Sequence, residues 1–112
     1  MPVMRGSGDT PDWVRWSAFG VGEVKDAAAF DRHFHDADEY WLVFSGRARV
    51  LSEGQEYEIG PGDILCTRMG EEHDVLEVLE APFRSFWIED ALRGQRRPGH
   101  LHRGEEEPDP DY

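Results

Sequence analysis

The sequence predicts an all-β domain, an antiparallel barrel or sandwich, and three observations carry that reading. From about Trp13 to Ile88 the chain is a succession of short runs rich in aromatic and β-branched residues, the residue types that fit a pleated, half-buried surface. Glycines punctuate these runs at strand-length intervals, and no long helix fits between them. The chain has 112 residues, enough for one domain with one core, and closely spaced short strands in so small a chain close into a barrel or a sandwich.

The elements follow in order. "WVRWSAFGV" is the first expected strand, and "DAAAF" after it suits a short helix. Strands are then expected at "FDRHFH", "EYWLVF", "ARVL", "EYEI", "DILCT", "HDVLEVL" and "FRSFWI". Glu53-Gly54 in "VLSEGQEYEI" suits a hairpin turn, with glycine supplying a positive φ. Pro61-Gly62 in "IGPGD" suits the two central positions of a type II turn. A second short helix is expected at "IEDALRGQ", stopping at Gly94. This divides the chain into a flexible N-terminus at 1–12, a β-barrel at 13–94, and a C-terminal extension with an acidic tail at 95–112.

Twelve Lys and Arg against twenty-four Asp and Glu leave a formal charge of −12, which disfavours nucleic acid and anionic membranes as partners. Like charges and prolines in the terminal "GEEEPDPDY" make it a solvated tail. The single cysteine, Cys66, cannot form an intrachain disulfide and is expected to be an inert core thiol in a buried strand. "MPVMRGSGDTPDW" lacks the apolar region of a secretory signal, and no stretch approaches the roughly 20 apolar residues of a membrane span. A soluble, cytoplasmic protein is expected.

Within "HFHDADEYWLVFSG" the pattern His-x-His-x-x-x-Glu falls at His33, His35 and Glu39. Alternation along a strand puts His33 and His35 on one face, with Phe30, Arg32 and Phe34 on the other. A turn through "DAD" brings Glu39 to the head of the next strand. Two imidazoles and a carboxylate converging in an apolar β region suit a divalent Zn, Fe, Mn or Ni ion, whereas burying them unpaired would cost several kcal/mol. The pattern recurs at His100, His102 and Glu106, but no hydrophobic strand supports it there. That second occurrence is read as a chance match in a Glu-rich tail, and the segment "IEDALRGQRRPGHLH" as a cap over the barrel mouth, a cover for a dimer edge, or an arm reaching a partner subunit's pocket.

These residues resemble the cupin superfamily. Its first motif, G-x5-H-x-H-x3,4-E-x6-G, is met by His33, His35, Glu39 and Gly46, with Ala27 in place of the opening glycine. Its second, G-x5-P-x-G-x2-H-x3-N, is met by Gly62, Gly70 and His73, while Arg68 replaces the usual proline and Glu77 the usual asparagine. The resemblance implies a double-stranded β-helix, a jelly-roll barrel with a short C-terminal extension. It further implies a divalent metal held by His33, His35, Glu39 and His73, and a homodimer.

With Glu39 facing inward, alternation puts Trp41 and Val43 on the pocket side. Arg68 is a candidate for binding a substrate carboxylate, and Glu77, in phase with His73, a candidate general base or partner of a ligand. Four protein donors leave open positions on the ion, which distinguishes a catalytic site from a structural one. The resulting expectation is a metal-dependent enzyme using Lewis acidity on a sugar or sugar acid, by isomerase, tautomerase or lyase chemistry. A ferrous dioxygenase and a non-enzymatic small-ligand barrel are the alternatives.

Overall fold

A computed structural model describes residues 3–5, 10–35 and 37–91. Among the described residues five strands follow in sequence: β1 (Trp16–Val24), β2 (Glu39–Ser52), β3 (Gln55–Ile59), β4 (Ile64–Thr67) and β5 (His73–Asp90), with one 3-10 turn at Ala27–Ala29. They form one antiparallel sheet in the order β1-β5-β2-β3, with β4 paired to the first part of β2. The 3-10 turn is the expected "DAAAF" helix, capped by the Asp26 side chain accepting from the Ala28 amide.

Four expected strands merge into two. "EYWLVF" and "ARVL" are one strand, β2, and "HDVLEVL" and "FRSFWI" are one strand, β5. β2 and β5 pair along most of their length, with register shifts from Val43 to Ala48 where the sheet bends. Gly46 sits at this bend with φ of 73°, and a Cβ there would lie 2.3 Å from the Pro82 carbonyl oxygen. Only glycine fits such a position.

The turns follow the sequence closely. Glu53 and Gly54 both have positive φ, as a two-residue hairpin with the twist of its flanking strands requires. Gly62 has φ of 95°, and the Asp63 amide closes the turn onto the Gly60 carbonyl.

Two expected elements are different. "FDRHFH" is no regular strand: His33 makes only an isolated bridge to His73, through two backbone hydrogen bonds. Phe30, freed from strand alternation by the 3-10 turn before it, stacks on His33 instead of facing away from it. The helix expected at "IEDALRGQ" is replaced over Ile88–Asp90 by the end of β5, which β1 and β2 hold on either side. The remainder of that segment, with His100 and His102, lies outside the described residues.

Strand alternation builds the interior. Ala18 of β1, Glu39, Trp41 and Val43 of β2, Leu65 and Thr67 of β4, and Phe83, Ser85 and Glu89 of β5 are buried. Cys66, between Leu65 and Thr67, therefore points outward and is exposed, contrary to the expectation of a core thiol. Trp41, Val43, Ala48, Val50, Ile59, Leu65, Val75 and Phe83 form the apolar core. On the opposite face the register aligns Val21, Phe86, Leu42 and Ile64 across four strands. No helix among the described residues is long and apolar enough to cross a membrane.

Candidate metal centre

Three short stretches of chain deliver the polar groups to one end of the interior. The bridge between His33 and His73 aligns those imidazoles, and the register pairs Glu39 directly with Glu89. His35 follows His33 by two residues and turns to the same side. His33, His35, Glu39, His73 and Glu89 are all at most 5% exposed. Five ionisable groups this deep cannot each stand alone, and they contact one another.

His73 Nε2 lies 2.8 Å from His33 Nε2 and 3.3 Å from Glu39 Oε1. His35 Nε2 lies 3.0 Å from Glu39 Oε2, and its Nδ1 lies 2.7 Å from Glu89 Oε1. The Trp41 indole N–H donates to Glu39 Oε1 at 2.5 Å. Around the imidazoles stand aromatic rings: Phe30 is stacked on His33, and Trp41 meets His73 edge to face at 5.2 Å. Burial raises the Glu39 carboxyl from its ordinary 4.5 to about 7, with the Glu89 charge adding to the rise and His35 opposing it.

Tautomers follow from the outer hydrogen bonds. The His33 Nδ1–H donates to the Asp31 carbonyl, which can only accept, so a neutral His33 turns its Nε2 lone pair toward His73. His35 lies between two carboxyl groups, with Glu89 Oε1 beside its Nδ1 and Glu39 Oε2 beside its Nε2. Facing lone pairs repel unless a proton or a cation lies between them. Imidazoles whose far N–H is held by a carbonyl or a carboxylate are the usual form of histidine metal ligands.

The spacings agree with that reading. Ligand bonds of about 2.1 Å place neighbouring donors of an octahedral ion about 3.0 Å apart, and three of the pairs, His33 with His73, His35 with Glu39 and His73 with Glu39, stand 2.8 to 3.3 Å apart. The donor atoms of His33, His35 and His73 lie within 4.8 Å of one another, as do those of His35, Glu39 and Glu89. The residues present fit a divalent ion.

The structure thus brings together His33, His35, Glu39 and His73 and sets Trp41 beside them, while Val43 lies deeper, in the apolar core. Arg68 and Glu77 are elsewhere. Arg68 leaves β4 on the outward face with Ile64 and Cys66 and pairs with Glu53 at 2.5 Å. Glu77 is out of phase with His73 because β5 bulges: Val75 pairs with Val50, but Glu77 with the very next residue, Arg49. That extra residue turns Glu77 to the surface, 3.6 Å from Arg49.

Sequence reasoning does not reach Glu89, because "IEDALRGQ" has the look of a short helix. Continued strand alternation from Phe83 through Ser85 and Trp87 would have placed it inward.

Beside the polar cluster opens a cavity of about 570 Å³, within the usual size for small-molecule sites. His33, His35 and Glu39 lie in its wall with Phe30, Trp41 and Trp87.

The profile of the cupin domain family matches residues 20–89. The uncharacterized protein y4oW of Sinorhizobium fredii is 38% identical over 93 residues, which are 83% of this chain and 41% of that protein. This chain therefore spans less than half the length of that relative. A predicted oxalate decarboxylase from Thermotoga maritima superposes with a TM-score of 0.60 at 18% identity, over 70% of this chain and 69% of that one. A cupin superfamily protein from Desulfitobacterium hafniense gives 0.59 at 17% identity, over 73% and 71%. A Klebsiella pneumoniae protein with a double-stranded β-helix domain gives 0.59 at 20% identity, over 68% of each. At these identities the likeness establishes the double-stranded β-helix fold and nothing finer.

Proposed function

Because this chain belongs to the cupin domain family, we propose that it holds a divalent metal ion through His33, His35, Glu39 and His73 and uses it to bind and polarise a small molecule entering the adjoining cavity. The observation that carries this reading is the 2.8 Å approach of two imidazole Nε2 atoms, with the far side of His33 already committed to the Asp31 carbonyl. An ion bound there supplies Lewis acidity, drawing electron density from a carbonyl or hydroxyl oxygen of the ligand. Polarisation of that kind is the step shared by isomerisation, tautomerisation and lyase reactions.

The chain's own residues do the positioning. The Asp31 carbonyl fixes the ring of His33, Glu89 stands 2.7 Å from the ring of His35, and the Trp41 indole N–H fixes one oxygen of Glu39. Phe30 and Trp41 cover the imidazoles with apolar surface, which lowers the local dielectric and strengthens the electrostatic contacts among them.

Elemental analysis of protein purified without a tag or chelator, beside the His35→Ala variant, tests this. About one equivalent of divalent metal in the parent and its loss in a variant that keeps its β circular dichroism is the expected result. A parent that takes up no metal even after reconstitution overturns the reading. Wholesale unfolding of the variant would assign the metal to structure instead.

A further inference from the structure

The cavity walls say what kind of small molecule enters. On the inner face of β1 the side chains are missing at Gly20 and Gly22, and the indole of Trp87 lies against the bare strand: a Cβ on Gly20 would stand 2.7 Å from Trp87 Cζ2. Gly22 and Ser85 face each other in the β1–β5 register and leave open the space that larger inward side chains would fill. What encloses that space is Val24, Phe30, Trp41, Phe83 and Trp87. The charged groups of the lining other than the metal-site residues, such as Glu23 and Lys25, are exposed.

A polyhydroxylated sugar would lose the hydration of its hydroxyl groups here and find few replacements, since the Trp41 N–H is already given to Glu39. A flat aromatic ring loses nothing comparable, and it gains stacking and edge contacts with two indoles and two phenyl rings. Four protein donors leave two positions of a six-coordinate ion for the ligand's own oxygens.

We propose that the cavity takes an aromatic ligand carrying an anionic oxygen pair, a catecholate or an aryl carboxylate, with the ring between Trp87 and Phe30 and the oxygens on the metal. This rests on the metal reading above, and the test separates the two. Protein loaded with zinc, its metal content measured, is titrated with nitrocatechol and in parallel with glucuronate, a sugar acid, and each affinity is referred to that probe's own affinity for zinc in buffer, because a catecholate is the stronger chelator. Relative to that reference, nitrocatechol is expected to gain at least about tenfold over glucuronate, quenching tryptophan fluorescence.

Gly22→Leu fills the cavity from a strand position with ordinary backbone angles, where a Cβ meets only Trp87 Cδ1 at 3.6 Å. It is expected to keep one equivalent of zinc and to weaken nitrocatechol by tenfold or more. Trp87→Leu, which keeps apolar bulk but removes the ring, is expected to narrow the preference over glucuronate. Stoichiometric zinc with equal affinity for the two probes relative to that reference, or with unchanged nitrocatechol binding in Gly22→Leu, overturns the aromatic assignment and leaves the metal site standing. Failure to load zinc at all overturns both.

Discussion

Glu39 and Glu77 stand on the two long paired strands, β2 and β5, one aimed into the barrel and the other away from it. Glu39 is 5% exposed and touches three side chains of the cluster, two imidazoles and an indole. Glu77 has a side chain 56% exposed and touches Arg49 at 3.6 Å. The outer face carries more such pairs, Arg47 with Glu58 and Arg49 with Glu56, all of them in water. Identical carboxylates thus behave differently according to the dielectric around them. Outside, solvent and salt screen each pair; inside, the cost of burying charge is offset only by the neighbours, and an ion that joins them gains the full interaction.

The largest effect expected from this contrast is on pH. With its carboxyl raised to about 7, Glu39 in the metal-free fold holds a proton that the unfolded chain gives up near 4.5. The folded state binds more protons in that window, so its stability falls as pH rises from 4.5 through about 7. Metal binding has the opposite slope, because a ligating carboxylate must be ionised. Apparent metal affinity should fall by up to about tenfold for each pH unit below 7, which calorimetric titration at several pH values would measure. Glu39→Gln should flatten the metal-free stability profile across the same window. A wild-type profile already flat there would mean that the buried carboxyl is not set apart from the exposed ones.

A smaller effect is expected one contact away. Glu89→Gln keeps the size of the side chain but replaces a fully buried carboxyl group 2.7 Å from His35 Nδ1 with a neutral amide. The weaker acceptor makes His35 a poorer donor to the metal, and affinity should drop about tenfold or somewhat more. Calorimetry with zinc would detect it, alongside thermal denaturation to establish that the variant folds. Affinity equal to the parent would show that Glu89 fills space without tuning the ligand.

How far the sequence revealed this arrangement depended on whether strand alternation ran unbroken. From Glu39 to Val43 it does, so Trp41 and Val43 fall on the expected face, and Glu53-Gly54 and Pro61-Gly62 mark both turns. His33 and His35 were found because their spacing survives even though the segment is a bridge and not a strand. Glu77 and Cys66 were misplaced for opposite reasons. A bulge shifted one out of phase, a feature that depends on the partner strand and leaves no local mark in sequence. The other was assigned by the apolar look of "DILCT", although a four-residue strand with one buried face exposes every second residue. Glu89 was hidden because a helix-like stretch lies in a strand that tertiary pairing extends to Asp90.

The smallest effect is the one that most directly tests the division between the two faces. Arg49→Ala removes a guanidinium that pairs with Glu56 at 2.6 Å and reaches toward Glu77, and Glu77→Gln removes the charge on the other side of the second contact. Both side chains lie in solvent, where the attraction lost is largely recovered as hydration and as freedom of the released partner. The thermal midpoint, the metal content and nitrocatechol binding should all match the parent within measurement. β5 connects Glu77 to His73 through only three residues, so a disturbance of the backbone at the bulge would be felt at the imidazole. Loss of metal in Glu77→Gln would therefore show that the outer ladder holds the bulge in register and, through it, the aim of His73. An unchanged metal content would show that the two backbone hydrogen bonds between His33 and His73 suffice to hold that ring, and that the exposed charges act only on the surface they occupy.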